Sequence, residues 1–145
     1  MPRLSTRARI ANALAISAFA AWAVSLGLPG FTAGGEAWTG GPILGYGLAF
    51  GWLCGGWAAY ANIFFLAALL RFSVGAFPIV ALALMVALAG TLPMFDALPR
   101  GESGATTPIE SWGLGVAIWL LSLVLLVGAV VVRDVQSKRR PKHAL

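Results

Sequence analysis

Charged residues divide the chain into long apolar runs separated by short polar segments. The uncharged, mostly hydrophobic runs cover residues 10–28, 42–70, 76–92 and 112–132. About 20 apolar residues, with a range of about 17–25, cross the hydrocarbon core of a bilayer as an α-helix. The pattern therefore predicts four transmembrane helices, and Pro29, Arg71 and Pro93 mark the ends of the first three.

The second run is the longest, and small residues recur in it at every fourth position. These residues are Gly47, Gly51, Gly55 and Ala59. On a continuous helix they form one smooth face that lets another helix approach closely. Two interpretations stay open: the face packs inside the protein's own helix bundle, or it contacts a partner protein or a second copy.

Two asparagines are the notable polar residues of the predicted spans. Asn62 lies in the second run and Asn12 in the first, both predicted toward the cytoplasmic side. An amide in lipid must find a partner, and such an interhelical hydrogen bond contributes about 0.6–2 kcal/mol. We expect both asparagines to be buried and to join helices, with Ser17, Ser25 and Thr91 as further candidate partners. Ligand contact by Asn62 is the alternative.

Composition and charge place the chain in a membrane. Hydrophobic residues make up 59% of the chain and charged residues 10%, whereas a soluble domain has about 25% charged residues. Nine of the ten Lys and Arg residues fall in a leader (1–9), a turn (71–75) and a tail (133–145). Four spans put these three segments on one face, so the positive-inside rule predicts that both termini are cytoplasmic, around a transmembrane domain of residues 10–132.

The tail is the most basic segment. Its bases are Arg133, Lys138, Arg139, Arg140 and Lys142. Bases next to a transmembrane helix attract anionic lipid headgroups, at about 1 kcal/mol each near the surface. A similar cluster also occurs in nucleic-acid-binding proteins, but the predicted topology favours lipid contact, and no nucleic-acid partner is expected.

The first run has a second interpretation. A basic leader, an apolar stretch and small residues at 18, 20, 21 and 23 also fit a cleavable signal peptide. Residues 10–35 are uncharged, which is long for such a peptide's apolar region. The length therefore favours a first helix that stays in the mature protein.

Groups for catalysis or metal binding are scarce. The four spans contain no Asp, Glu, Lys, Arg or His, and the chain has one Cys and one His, so no disulfide, metal set or haem ligand is expected. The outer loops contain four acids, Glu36, Asp96, Glu102 and Glu110. Acids in loops are usually solvated, so we expect no catalytic residues, no metal and no cofactor. An enzyme that acts at the membrane surface through these acids is a third alternative.

The second run also resembles a known helix. Gly51 and Trp52 are followed by Tyr60, Ala61 and Asn62, and then by an apolar stretch ending in ALL at 68–70. This is similar to the GW…YAN…LL helix of small, uncharacterised multi-pass proteins of the bacterial inner membrane. The resemblance covers residues 51–70, and Ile63 stands where that family often has proline. It implies a location in the inner membrane and supplies no catalytic residues.

Together these patterns predict an all-α integral membrane four-helix bundle of the bacterial plasma membrane, with both termini cytoplasmic. The expected role is that of a non-enzymatic accessory or scaffold protein that acts through helix–helix packing. Its partners would be the lipid bilayer and, through the second helix, another protein or further copies of itself. The alternative is a small oligomeric transporter or channel for an uncharged or small solute.

Overall fold

The computed structural model describes residues 6–100 and 105–138, which form five α-helices and a four-stranded antiparallel sheet. The helices are α1 (Thr6–Gly27), α2 (Gly40–Cys54), α3 (Ala61–Ser73), α4 (Ile79–Ala89) and α5 (Leu114–Lys138). The strands are β1 (Pro29–Ala33), β2 (Glu36–Thr39), β3 (Ala97–Arg100) and β4 (Ala105–Trp112). Two 3₁₀ turns, Trp57–Tyr60 and Leu92–Met94, precede α3 and follow α4. The predicted all-α four-helix bundle is therefore wrong, because the fold is mixed α/β.

The strands lie between α1 and α2 and between α4 and α5, where the sequence predicts the outer loops. Its strand order is β2-β1-β4-β3, with all neighbours antiparallel. Gly34 and Gly35 connect β1 to β2 with φ angles of 60° and 75°. A two-residue hairpin turn that matches the twist of its strands requires such positive φ values, which glycine adopts without a steric penalty. The Glu110 carboxylate on β4 accepts a hydrogen bond from the Gly35 N–H at 3.1 Å.

Helices α1 and α5 form an antiparallel pair beneath the sheet. The chain leaves α1 directly into β1 and enters α5 directly from β4, and the Gly113 N–H donates to the Gly30 carbonyl at 2.7 Å. Farther from the sheet, the buried small residues Ala11 and Ala15 pack with Ala129 and Val130. In the described part of the chain, α1 and α5 are the two helices long and apolar enough to cross a membrane.

The predicted span 42–70 is not one helix. Helix α2 ends at Cys54, and Gly55 follows it in the left-handed region with a φ of 75°. The chain then reverses, so the Tyr60 hydroxyl donates to the Leu48 carbonyl at 3.2 Å. In a continuous helix these residues would be about 18 Å apart along the axis. The single second span is thus corrected to α2, a 3₁₀ turn and α3.

Helices α3 and α4 form a hairpin against this pair. The Ala76 N–H donates to the Arg71 carbonyl at 2.9 Å, and Gly75 has a φ of 83°, which is a common way to end a helix. Arg133 of α5 donates to the Phe72 carbonyl, and its guanidinium carbon lies 4.7 Å from the centre of the Phe72 ring. The end of α3 is thereby held beside the end of α5, far from the sheet.

Candidate functional site

Asn62 joins three helices through two tryptophans. Its side-chain oxygen accepts one hydrogen bond from the Trp22 indole of α1 at 2.8 Å and another from the Trp119 indole of α5 at 2.9 Å. Its amide nitrogen donates to the Ala59 carbonyl at 2.8 Å. Because an indole N–H can only donate, the amide oxygen must face the two rings. We call Asn62, Trp22 and Trp119 the asparagine node.

The helices around the node carry matching serines. Ser25 lies three residues after Trp22 and donates to its carbonyl at 2.6 Å, and Ser122 does the same for Trp119 at 2.6 Å. Both serines are buried. Their hydroxyls are thus satisfied within α1 and α5, which leaves Asn62 as the acceptor for both indoles.

An apolar cavity of about 100 Å³ lies between the asparagine node and the sheet. Ala58, Ile43 and Val116 line its walls, and Asn62 and Trp119 are at its floor. None of its described lining residues carries a charged side chain. The cavity therefore suits an uncharged, apolar occupant.

Aromatic residues on the inner face of the sheet form the roof of this cavity. Phe31 of β1 is 2% exposed, and its ring centre lies 6.2 Å from that of Trp38, 6.0 Å from Phe95 and 6.0 Å from Trp112. The last two meet Phe31 edge to face, the arrangement that aromatic pairs favour. Ile43 and Tyr46 of α2 pack against this cluster, so apolar contacts connect the sheet to the helices.

The cavity is closed on the side away from the sheet. Phe65, Met85 and Leu126 are each 0% exposed, and they belong to the apolar core between the helices that continues past the asparagine node. Trp22 stacks on Phe65 with ring centres 5.9 Å apart. The cavity is therefore blind rather than part of an open pore.

The glycine face of the predicted second span is used inside the protein. A Cβ at Gly47 would overlap the Ala59 Cβ, and a Cβ at Gly51 would lie 2.7 Å from the Gly56 carbonyl oxygen. Gly55 instead ends α2 and faces open space. The four residues thus lie on two segments that fold back on each other, and the chain itself covers Gly47 and Gly51.

The two asparagines are not close together. Asn62 begins α3 near the sheet and is 7% exposed, whereas Asn12 lies in the first half of α1 and is exposed. The expectation that Asn12 is buried is therefore wrong. Ser17 is also exposed, and the Thr91 hydroxyl donates to the Leu88 carbonyl of its own helix at 2.7 Å.

The predicted charged sites are only partly described. Arg133 contacts α3 through the Phe72 carbonyl, while Arg139, Arg140 and Lys142 lie outside the described residues, as does Glu102. Lys138 is the last residue of α5. Among the residues that the structure describes, no group of three or more His, Cys, Asp or Glu side chains is placed to hold a metal ion.

The tryptophan partners of Asn62 were not expected from the sequence. A signal was present, since Trp22 and Ser25 repeat the spacing of Trp119 and Ser122 in the other long apolar run. The repeat alone does not indicate a shared partner, because that partner lies on a third helix.

Comparison with protein-family models, with curated proteins and with solved structures gives no match.

Proposed function

We propose that the chain is a non-enzymatic integral protein of the bacterial plasma membrane, in which α1 and α5 cross the bilayer and support the sheet at its outer surface. One observation carries this proposal: the helices expose many large apolar side chains. Ile16, Leu70, Val80 and Val124 are each at least 65% exposed. Apolar exposure on this scale is unfavourable in water and suits contact with lipid.

Helix lengths fit this arrangement. The 22 residues of α1 span about 33 Å, close to the roughly 30 Å of a hydrocarbon core. The candidate membrane span of α5, Leu114–Val135, has the same length and ends next to Arg133 and Asp134. Helices α3 and α4 have 13 and 11 residues, so they are too short to cross a bilayer alone. We propose that they pack beside the long pair within the membrane.

The charges of the described residues support an orientation. Arg7 and Arg9 begin α1, Arg71 is in the last turn of α3, and Arg133 contacts that turn. We call this the basic end; Asp134 also lies there. The sheet end has three acids, Glu36, Asp96 and Glu110, and one base, Arg100, which ends β3. By the positive-inside rule, the basic end faces the cytoplasm.

The geometry favours an accessory role over conduction. The cavity is blind, its described lining has no charged group, and the described residues offer no metal cluster. Gly47 and Gly51 do not offer a contact surface, because Ala59 and Gly56 of the same chain cover them. We therefore propose that an accessory function uses the sheet and the exposed faces of the helices.

Cysteine labelling in intact cells tests location and orientation together. In a Cys54→Ala background, we would introduce Thr106→Cys on β4 or Ser73→Cys at the end of α3, both at exposed positions. A membrane-impermeant maleimide should label the first in intact cells and the second only after lysis. The protein should also stay in the membrane pellet at alkaline pH. Release from the pellet would refute membrane insertion, and the reverse labelling would refute the orientation.

A further inference from the structure

A second depression lies directly outside the cavity. It is an open groove of about 450 Å³ between the 3₁₀ turn Leu92–Met94 and the first turns of α5. Four residues line both the groove and the cavity: Leu92, Phe95, Trp112 and Val116. The groove and the cavity therefore lie side by side, with these four side chains between them.

The groove opens on the apolar surface of the helices. Leu120 forms its lower edge and is 39% exposed, and Trp112 is 46% exposed. Met94, in the adjacent 3₁₀ turn, is 74% exposed. Asp96 lines the end of the groove at the sheet. In the proposed membrane orientation, the groove thus extends from the interface into the hydrocarbon, so it is open to lipid molecules from the side.

The cavity favours an apolar occupant over water. A buried water needs two to four polar partners. The Asn62 oxygen already accepts from two indoles, and the Ser25 hydroxyl already donates to a carbonyl. An apolar cavity of about 150 Å³ is known to stay dry and bind benzene. A cavity of about 100 Å³ is therefore large enough for the end of a hydrocarbon chain but not for a lipid headgroup.

We propose that the groove and the cavity together bind one acyl chain of a membrane phospholipid, which enters from the side between Leu92 and Val116. The chain end would lie above Asn62 and beneath Phe31, and the headgroup would stay outside near Asp96. This inference rests on the proposed membrane location. The bound chain would fill the space between the sheet and the helices and so stabilise the contact between them.

Native mass spectrometry provides the first test. The protein would be purified in mild detergent, depleted of endogenous lipid and incubated with a single phosphatidylethanolamine. We expect one phospholipid to remain on each chain at collision energies that remove all others. Val116→Phe should reduce retention about tenfold, which corresponds to about 1.4 kcal/mol, because a ring at this position narrows the path. Val124→Phe is the matched control, since Val124 is 67% exposed on the same helix, and its retention should match that of the wild type.

A second test needs no variant. A phosphatidylethanolamine with a diazirine at its chain end would be photolysed with the wild-type protein in nanodiscs. Cross-links on the segment from Ala58 to Asn62 would support the proposal, and cross-links confined to outer residues such as Ile16 and Val124 would overturn it. Retention of a molecule other than a phospholipid would also overturn it. A protein that passes the membrane tests but retains no lipid refutes this inference alone.

Discussion

The Asn62 side chain of α3 forms hydrogen bonds to two other helices. It is 7% exposed and is bonded to helices α1 and α5 through indoles whose N–H groups can only donate. In the described residues no buried side-chain nitrogen or oxygen lacks a hydrogen-bond partner. Removing the amide would leave two indole donors without an acceptor, so the asparagine node should contribute to the free energy of unfolding.

Replacing Asn62 by leucine should lower the free energy of unfolding by about 1–3 kcal/mol. The reason is that both indole N–H groups lose their acceptor, and an unpaired buried donor costs about 1–3 kcal/mol in proteins and less in membranes. Thermal unfolding in detergent measures the change. Asn12→Leu is the matched control, because Asn12 is exposed, and it should change little. Equal stability of the two variants would show that the node contributes nothing.

Arg133 of α5 should also contribute measurably to the free energy of unfolding. Arg133→Met keeps the apolar stem but removes the donor to the Phe72 carbonyl and the charge over its ring. We expect a loss of about 1–2 kcal/mol, because hydrogen bonds from charged groups contribute about 1.5–3 kcal/mol and this one is only partly buried. Arg71→Met, at an exposed position in the last turn of α3, should stay near the wild-type value. A larger effect at Arg71 would contradict this assignment.

At the scale of elements, the chain reversal between α2 and the 3₁₀ turn determines which atoms surround the glycines of α2. Gly51→Ala should destabilise the protein, because the new Cβ would lie 2.7 Å from the Gly56 carbonyl oxygen. Gly45→Ala, in the same helix with no atom within 4 Å of its Cβ, should stabilise it by up to about 1 kcal/mol through helix propensity. Unfolding curves give the two signs, and native mass spectrometry should show the same oligomeric state for both. Loss of a subunit in Gly51→Ala alone would instead indicate a partner interface.

Sequence patterns identified some of these elements and missed others for physical reasons. The runs 10–28 and 112–132 correspond to α1 and α5, because a long uncharged apolar run commonly forms a helix. The break at Gly55 was missed because a glycine stripe predicts close packing whether the helix continues or reverses. Gly34 and Gly35 between alternating residues are a signal for the β1–β2 hairpin, but the glycines and threonines of this segment also predict a flexible connecting loop. The burial of Asn62 was expected, and its partners depended on tertiary contacts that no local pattern contains.

At the scale of the whole molecule, the sheet and the helices are connected by backbone contacts as well as by the aromatic roof. The start of α5 lies against the junction of α1 and β1. A Cβ at Gly115 would be 2.8 Å from the carbonyl oxygens of both Leu28 and Pro29. The contact is therefore possible only for glycine, and it adds to the hydrogen bond from Gly113 to Gly30 that joins α5 to β1. We infer that sheet and helices unfold together.

Gly115→Ala tests this coupling. The new methyl group must push α5 away from β1, so we expect the helical signal in far-ultraviolet circular dichroism and the tryptophan fluorescence to be lost together, at a lower temperature than in the wild type. Coincident transitions are the mark of one cooperative unit. Gly27→Ala is the control, because Gly27 ends α1 with no atom within 4 Å of its Cβ. Two separate transitions instead of one would show that the sheet and the helices unfold independently, and an acyl chain bound between them could then not stabilise one through the other.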